Sequence, residues 1–163
     1  MKELILTRGI MGCGKSTWIK NNHLEINTLE PDRLRLMYQS PILKEGRIAI
    51  SQDNDNEVWN TLFKMLENRM KHGNLTVIDA THTTSKSINR YESLCDKYGY
   101  KCVVIDFSEV ELQLALIRNK NREDYKFVPE KVIIDAYTRI QNSTIPDWVE
   151  VFSPYQYVLY GEI

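Results

Sequence analysis

Apolar positions follow two rhythms along this chain, and the alternation between them outlines the fold. Short continuous runs such as Leu4-Ile5-Leu6, Val77-Ile78 and Val103-Val104-Ile105 are too brief for helices and rich in β-branched residues. Runs of this kind suit strands buried on both faces. They predict strands at 3–7, 25–29, 76–79, 101–107 and 156–160. Between them the apolar residues recur at helical spacing, which predicts helices at 15–22, 52–72, 85–98, 109–119 and 129–142. In the second of these, Val58, Leu62, Met65, Leu66 and Met70 share one helical face, and Gly73 follows as a left-handed stop. Ser85 is the expected N-cap of the third helix and Gly99 its terminator.

Strands alternating with helices imply right-handed crossovers and an α/β fold, a parallel sheet with helices on both faces. In such sheets ligands sit beyond the carboxyl ends of the strands. The residues to examine therefore follow Thr7, Leu29, Asp79 and Phe107, together with the helix end near position 118. With 163 residues, 42% hydrophobic and 26% charged, the chain is expected to form one domain, 1–163. No apolar run approaches a membrane span, which excludes a membrane partner on this reading. Cys13, Cys95 and Cys102 form no C-x-x-C pair, and His23, His72 and His82 are scattered, so neither a disulfide framework nor a zinc site is indicated. A reducing, cytoplasmic setting is the expectation. A net charge of −1 gives no footprint for wrapping nucleic acid, though an enzyme touching only a strand end needs just a few arginines.

Directly after the first strand comes Gly9-Ile-Met-Gly12-Cys13-Gly14-Lys15-Ser16-Thr17. This fits G-x-x-x-x-G-K-[ST] in the strand–loop–helix context that a phosphate-binding P-loop requires. Its glycines let successive N–H groups converge on one anion, and the helix start adds its positive end. Lys15 is placed to reach the β- and γ-phosphates, and Ser16 to ligate Mg²⁺. ATP or another nucleoside triphosphate, with Mg²⁺, is the implied cofactor set. Cys13 lies inside the loop, where Lys15 and the helix end favour its thiolate; the plainer alternative is a tolerated small residue.

Three further groups fall on the same sheet edge. After the second strand, Asp32 opens a short helix and Arg35 follows one turn on, a carboxylate suited to accept a hydroxyl proton beside a cation suited to an anionic acceptor. Helix capping and a surface arginine are the plain alternative. The third strand ends in Asp79-Ala80-Thr81-His82, with Asp79 placed like a Walker B acid to meet Mg²⁺ through water or to order Arg35 or the acceptor, and Thr81 and His82 on the rim; a polar turn at Asp79 and a bland contact or surface role for His82 are the plain alternatives. Arg118-Asn-Lys-Asn-Arg122 follows an amphipathic helix and suits a lid, about 118–128, that closes over triphosphate oxygens; a solvated charged loop is the alternative. Trp18, Trp59 and Trp148 read as packing residues.

In this order the P-loop, Asp32-x-x-Arg35, the stretch ending Asp79-Ala-Thr-His82, and Arg118-Asn-Lys-Asn-Arg122 resemble the kinase domain of the polynucleotide 5′-kinase family, as found in phage polynucleotide kinases and bacterial polynucleotide kinase–phosphatases. The resemblance runs from Leu4 to about Ile140. It implies a phosphotransferase that moves the ATP γ-phosphate to 5′-OH ends of RNA or DNA in end healing or repair. By the same likeness Asp32 is the general base and Arg35 holds the phosphate flanking the acceptor. Lys15 and Ser16 hold triphosphate and metal, and Arg118 and Arg122 form the lid. His82 stands where relatives carry Asn. No D-x-D-x-T motif appears, so the expectation is either a stand-alone kinase or a domain of a longer repair protein, with any phosphatase or ligase modules it is fused to or works with lying outside this chain. A small-molecule or nucleoside kinase on the same scaffold, and a non-catalytic nucleotide switch, are the alternatives.

Overall fold

The computed structural model describes residues 1–157. Its centre is a five-stranded parallel sheet built from β1 (Glu3–Arg8), β2 (Thr28–Leu29), β5 (Thr76–Ile78), β6 (Lys101–Asp106) and β7 (Glu150–Phe152). The spatial order is β2-β5-β1-β6-β7. Alternation along the central strands divides the core in two. Leu4, Leu6, Ile78 and Val104 face one layer, where Val58, Leu62, Leu66 and Met70 of α3 (Asp55–Lys71) meet Ile88 and Tyr91. Ile5, Val77, Val103 and Ile105 face the other, against α1 (Lys15–Asn21), α6 (Leu112–Lys120) and α7 (Glu130–Gln141). The strands are buried on both faces because they carry apolar residues at consecutive positions. The fold is thus the expected α/β, P-loop NTPase-type parallel sheet flanked by helices on both faces.

Several boundaries move, each for a local reason. Residues 25–27 form a 3-10 turn rather than strand, closed by Thr28 Oγ1 donating to Leu24 O at 2.8 Å, so β2 keeps only two residues. The expected helix 85–98 divides into α4 (Ser85–Asn89) and α5 (Glu92–Tyr98). Its break puts Tyr91 in the core, fully buried. Thr84, not Ser85, caps α4, exchanging bonds with Ser87 in a capping box. Met65 of the α3 stripe is 39% exposed, so that face buries one methionine fewer than its spacing suggests.

The strand expected at 156–160 does not form where the structure describes it. Gln156 lies in a turn, and 158–160 fall outside the described residues. The fifth strand is β7, pairing with β6 from Val103↔Glu150 to Ile105↔Phe152. Between β2 and α3 the chain adds two elements. The first is α2 (Pro31–Tyr38). The second is a small antiparallel hairpin, β3 (Ile42–Lys44) and β4 (Arg47–Ala49), turning through Glu45 and Gly46 at positive φ. Among the described residues no helix is long and apolar enough to cross a membrane.

Candidate active site

The loop between β1 and α1 curls at the carboxyl edge of the sheet, and two of its glycines are required by geometry. Gly12 has φ +79°, and a Cβ there would lie 2.8 Å from Ala115 O. Gly14 has φ +105° at the N-cap of α1, a region that side chains disfavour. Gly9 N donates to Thr81 O at 3.0 Å, tying the loop to the segment after β5. Lys15 Nζ donates to Gly9 O and Ile10 O, each at 2.9 Å, so the loop's own carbonyls gather the ammonium into the curl. Ser16 and Thr17 stand on the exposed first turn of α1.

Cys13 follows the plainer of its two expected readings. Its thiol is buried, and burial pushes its pKa up more than the attraction of Lys15 lowers it. Cys13 is thus a small packing residue of the loop rather than a reactive thiolate.

Asp79 directly follows β5, where two hydroxyls meet it. Ser16 Oγ donates to Asp79 Oδ2 at 2.9 Å, and Thr7 Oγ1 to Asp79 Oδ1 at 3.3 Å. A hydroxyl beside a carboxylate is the hard-oxygen donor set that suits Mg²⁺, which takes few protein ligands and fills its shell with phosphate and water oxygens. Among the described residues no cluster of three or more His, Cys, Asp or Glu side chains forms a self-sufficient metal cage.

His82 is corrected from rim residue to core residue. It is 3% exposed, with φ +42° turning the chain inward. Nδ1–H donates to Thr7 O at 2.6 Å, which leaves Nε2 to accept from Tyr91 O–H at 3.0 Å. Both nitrogens are spent, and burial lowers the imidazole pKa to about 4. The ring therefore fixes the end of β1 and offers nothing to an acceptor. Thr81 is half-buried beside it, its carbonyl used by Gly9.

Asp32 and Arg35 stand together on α2, with Arg35 Nη1 donating to Asp32 Oδ1 at 2.7 Å. Pro31 at the first turn stops β2 and starts the helix, which carries Asp32 just past the sheet edge. Arg118 sits on the last turn of α6, since that helix runs to Lys120. Its Nη1 lies 3.4 Å from Gly12 O, against the phosphate loop. Arg122 lies beyond the helix and is half-buried, without a bond to the loop.

Three contributors escaped the sequence reading. Asn119 is fully buried and closes the segment after α6, giving Nδ2–H to Val128 O at 2.8 Å and taking Val128 N–H at 3.2 Å. Glu30 is half-buried in a cleft of about 150 Å³ shared with Ser16, Thr28, Arg33, Asp79 and Lys126. Burial, then Asp79 and Asp32, raise its carboxyl pKa. Asp55, twenty residues from Arg35, binds that guanidinium. Only Asn119 had a signal, being apolar-phased on α6 yet polar.

The comparisons with known proteins agree with this architecture. A protein-family profile described as an AAA domain matches residues 4–144. No curated protein matches the chain. Among solved structures, a chain of the Pnkp1/Rnl/Hen1 RNA repair complex is 20% identical with a TM-score of 0.71, covering 86% of this chain and 44% of that one. This chain therefore spans less than half of that relative. AvrRxo1-ORF1:-ORF2 with ATP is 15% identical with a TM-score of 0.64, covering 86% and 48%. A sugar kinase from Janibacter sp. HTCC2649 is 16% identical with a TM-score of 0.60, covering 96% and 87%. At these identities the likeness is one of fold. The profile, the glycine-built loop and the sheet order converge: this chain belongs to the AAA-domain family of P-loop proteins.

Proposed function

We propose that this protein is an ATP-dependent polynucleotide 5′-hydroxyl kinase, moving the γ-phosphate to the 5′-OH of an RNA or DNA end. The observation that carries this reading is the Asp32–Arg35 pair, a carboxylate and a guanidinium 2.7 Å apart, on the helix that follows the sheet's edge strand. A base and an anion holder on one rigid turn suit an acceptor whose hydroxyl lies next to a phosphate.

Phosphoryl transfer needs positioning and charge neutralisation more than covalent chemistry from the protein. In this reading the loop N–H groups and Lys15 bind the β- and γ-phosphates. Ser16, with Asp79 through water, would hold Mg²⁺, which would supply positive charge to those oxygens. Asp32 accepts the proton of the acceptor hydroxyl as its oxygen bonds to the γ-phosphorus, and the bond to the ADP oxygen breaks. Arg118 and Arg122, on a lid of about 118–128, spread the charge that develops. Arg35 holds the flanking phosphate, a binding contribution from a group that does not react. Thr81 lines the acceptor side. Phosphatase or ligase modules, fused or separate, are the partners this activity would serve.

One observation favours a second reading, a small-molecule kinase: the sugar kinase likeness covers most of both chains. The deciding experiment is transfer from γ-labelled ATP with Mg²⁺ to 5′-OH RNA and DNA oligonucleotides, beside a panel of sugars and nucleosides. Labelled oligonucleotide is expected. Label on a sugar or free nucleoside alone transfers the assignment to the second reading, and no label from protein that binds ATP removes both.

A further inference from the structure

Arg35 is gripped from two sides. Its Nε–H donates to Asp55 Oδ1 at 3.1 Å, Nη2 bonds the same oxygen, and Nη1 reaches Asp32 Oδ1 at 2.7 Å. The guanidinium side chain is 13% exposed, whereas Asp32 and Asp55 are 49% and 46% exposed. Asp55 opens the first turn of α3. That turn is fastened to α2 beside it, where Asn54 Nδ2–H donates to Gln39 Oε1 at 3.2 Å.

A guanidinium has five N–H donors in a rigid plane. Asp55 takes the side fork formed by Nε and Nη2, and Asp32 takes one proton of Nη1. The two remaining N–H groups, one on each terminal nitrogen, are those a phosphate can accept as a pair. Without Asp55, Arg35 has only its neighbour Asp32, three positions away on the same helix, to pair with. The preferred two-pronged pairing would then cover both oxygens of the carboxylate.

We propose that Asp55 is a positioning residue for the acceptor side: by occupying the side fork of Arg35 it aims the other fork at the acceptor's flanking phosphate and keeps one oxygen of Asp32 open to the reacting hydroxyl. This rests on the polynucleotide-kinase reading and names how that site orders its acceptor. A stabilising surface pair is the plain alternative. Exposed pairs contribute about 0–1 kcal/mol, so that alternative predicts a small change in stability and nothing particular to the acceptor.

The test uses the full chain and its Asp55→Asn and Asp55→Glu variants at saturating ATP. Two acceptors are compared, a nucleoside 3′-monophosphate and the same nucleoside without phosphate, with kcat and KM measured separately. Asp55→Asn is expected to raise KM for the phosphate-bearing acceptor by about tenfold, the size of one lost charge-assisted contact. It should lower kcat for both acceptors, leave KM for the plain nucleoside unchanged, and be partly rescued by Asp55→Glu. Equal KM changes for both acceptors, or wild-type behaviour, overturns the proposal. The ¹⁵N-bound Arg35 Nε proton gives a readout independent of turnover. It should exchange slowly with water in the wild type and fast in Asp55→Asn; fast exchange in the wild type overturns the clamp. Wild-type protein that labels neither these acceptors nor oligonucleotides overturns the functional reading and Asp55's role with it, before any variant is compared.

Discussion

The nucleotide half and the acceptor half proposed for this site are built by opposite means. Around the phosphate loop the functional groups are mostly backbone, and the loop is pinned by short-range geometry: Gly12 and Gly14 at positive φ, Lys15 bonded to carbonyls five and six residues back. Across the cleft, Asp32 and Arg35 are side chains about half-exposed or less, steered by Asp55 from twenty residues away. A backbone nest is specified by a few contiguous residues and disfavours a Cβ at positions such as Gly12 and Gly14. A side-chain clamp is specified by packing between α2 and α3.

That contrast predicts separable losses. Gly12→Ala should eliminate ATP binding measured by calorimetry, and transfer with it, because the new methyl meets Ala115 O at 2.8 Å and forces a strained φ. Asp32→Ala should cut transfer by about 10²–10⁴, the usual range for a general base, while ATP affinity stays near wild type. If Asp32→Ala loses ATP as well, the two halves are one unit and the comparison breaks.

A smaller effect sharpens the line between rim and core. His82 stays neutral in the folded protein down to about pH 4, whereas in the unfolded chain it protonates near 6.5. Stability from this group is complete above 6.5 and is lost as pH falls through that window, on the order of 3 kcal/mol in all. Urea unfolding of wild type and His82→Asn at pH 7, 5.5 and 4.5 should show the gap between them changing across this range. A gap independent of pH would mean that the ring is solvated and back on the rim.

The smallest expected effect concerns Glu30. A carboxyl raised by burial and by Asp79 and Asp32 has its full stability below its ordinary range and costs stability as pH rises through the raised value. Glu30→Gln should therefore melt higher than wild type at pH 7 and not at pH 4. A lower melting temperature at pH 7 would show that Arg33 and Lys126, which share its cleft, outweigh its burial.

Much of this was legible in the chain itself. Consecutive apolar residues mark β1, β5 and β6 because a strand buried on both faces has no polar side to show. The glycine spacing of residues 9–17 marks the phosphate loop because its turns at Gly12 and Gly14 need positive φ, which side chains disfavour. Asp32-x-x-Arg35 was readable because one helical turn makes them neighbours whatever surrounds them. Tertiary structure alone decided the rest. It turned His82 inward to meet Thr7 and Tyr91, buried Cys13 so that desolvation outweighs the pull of Lys15, and placed the last described strand at Glu150–Phe152. It also brought Asp55 to Arg35 across the hairpin. The physical reason is range: backbone conformation and helical neighbours are fixed within a few residues, whereas burial and long-range ion pairs exist only after separate elements have packed.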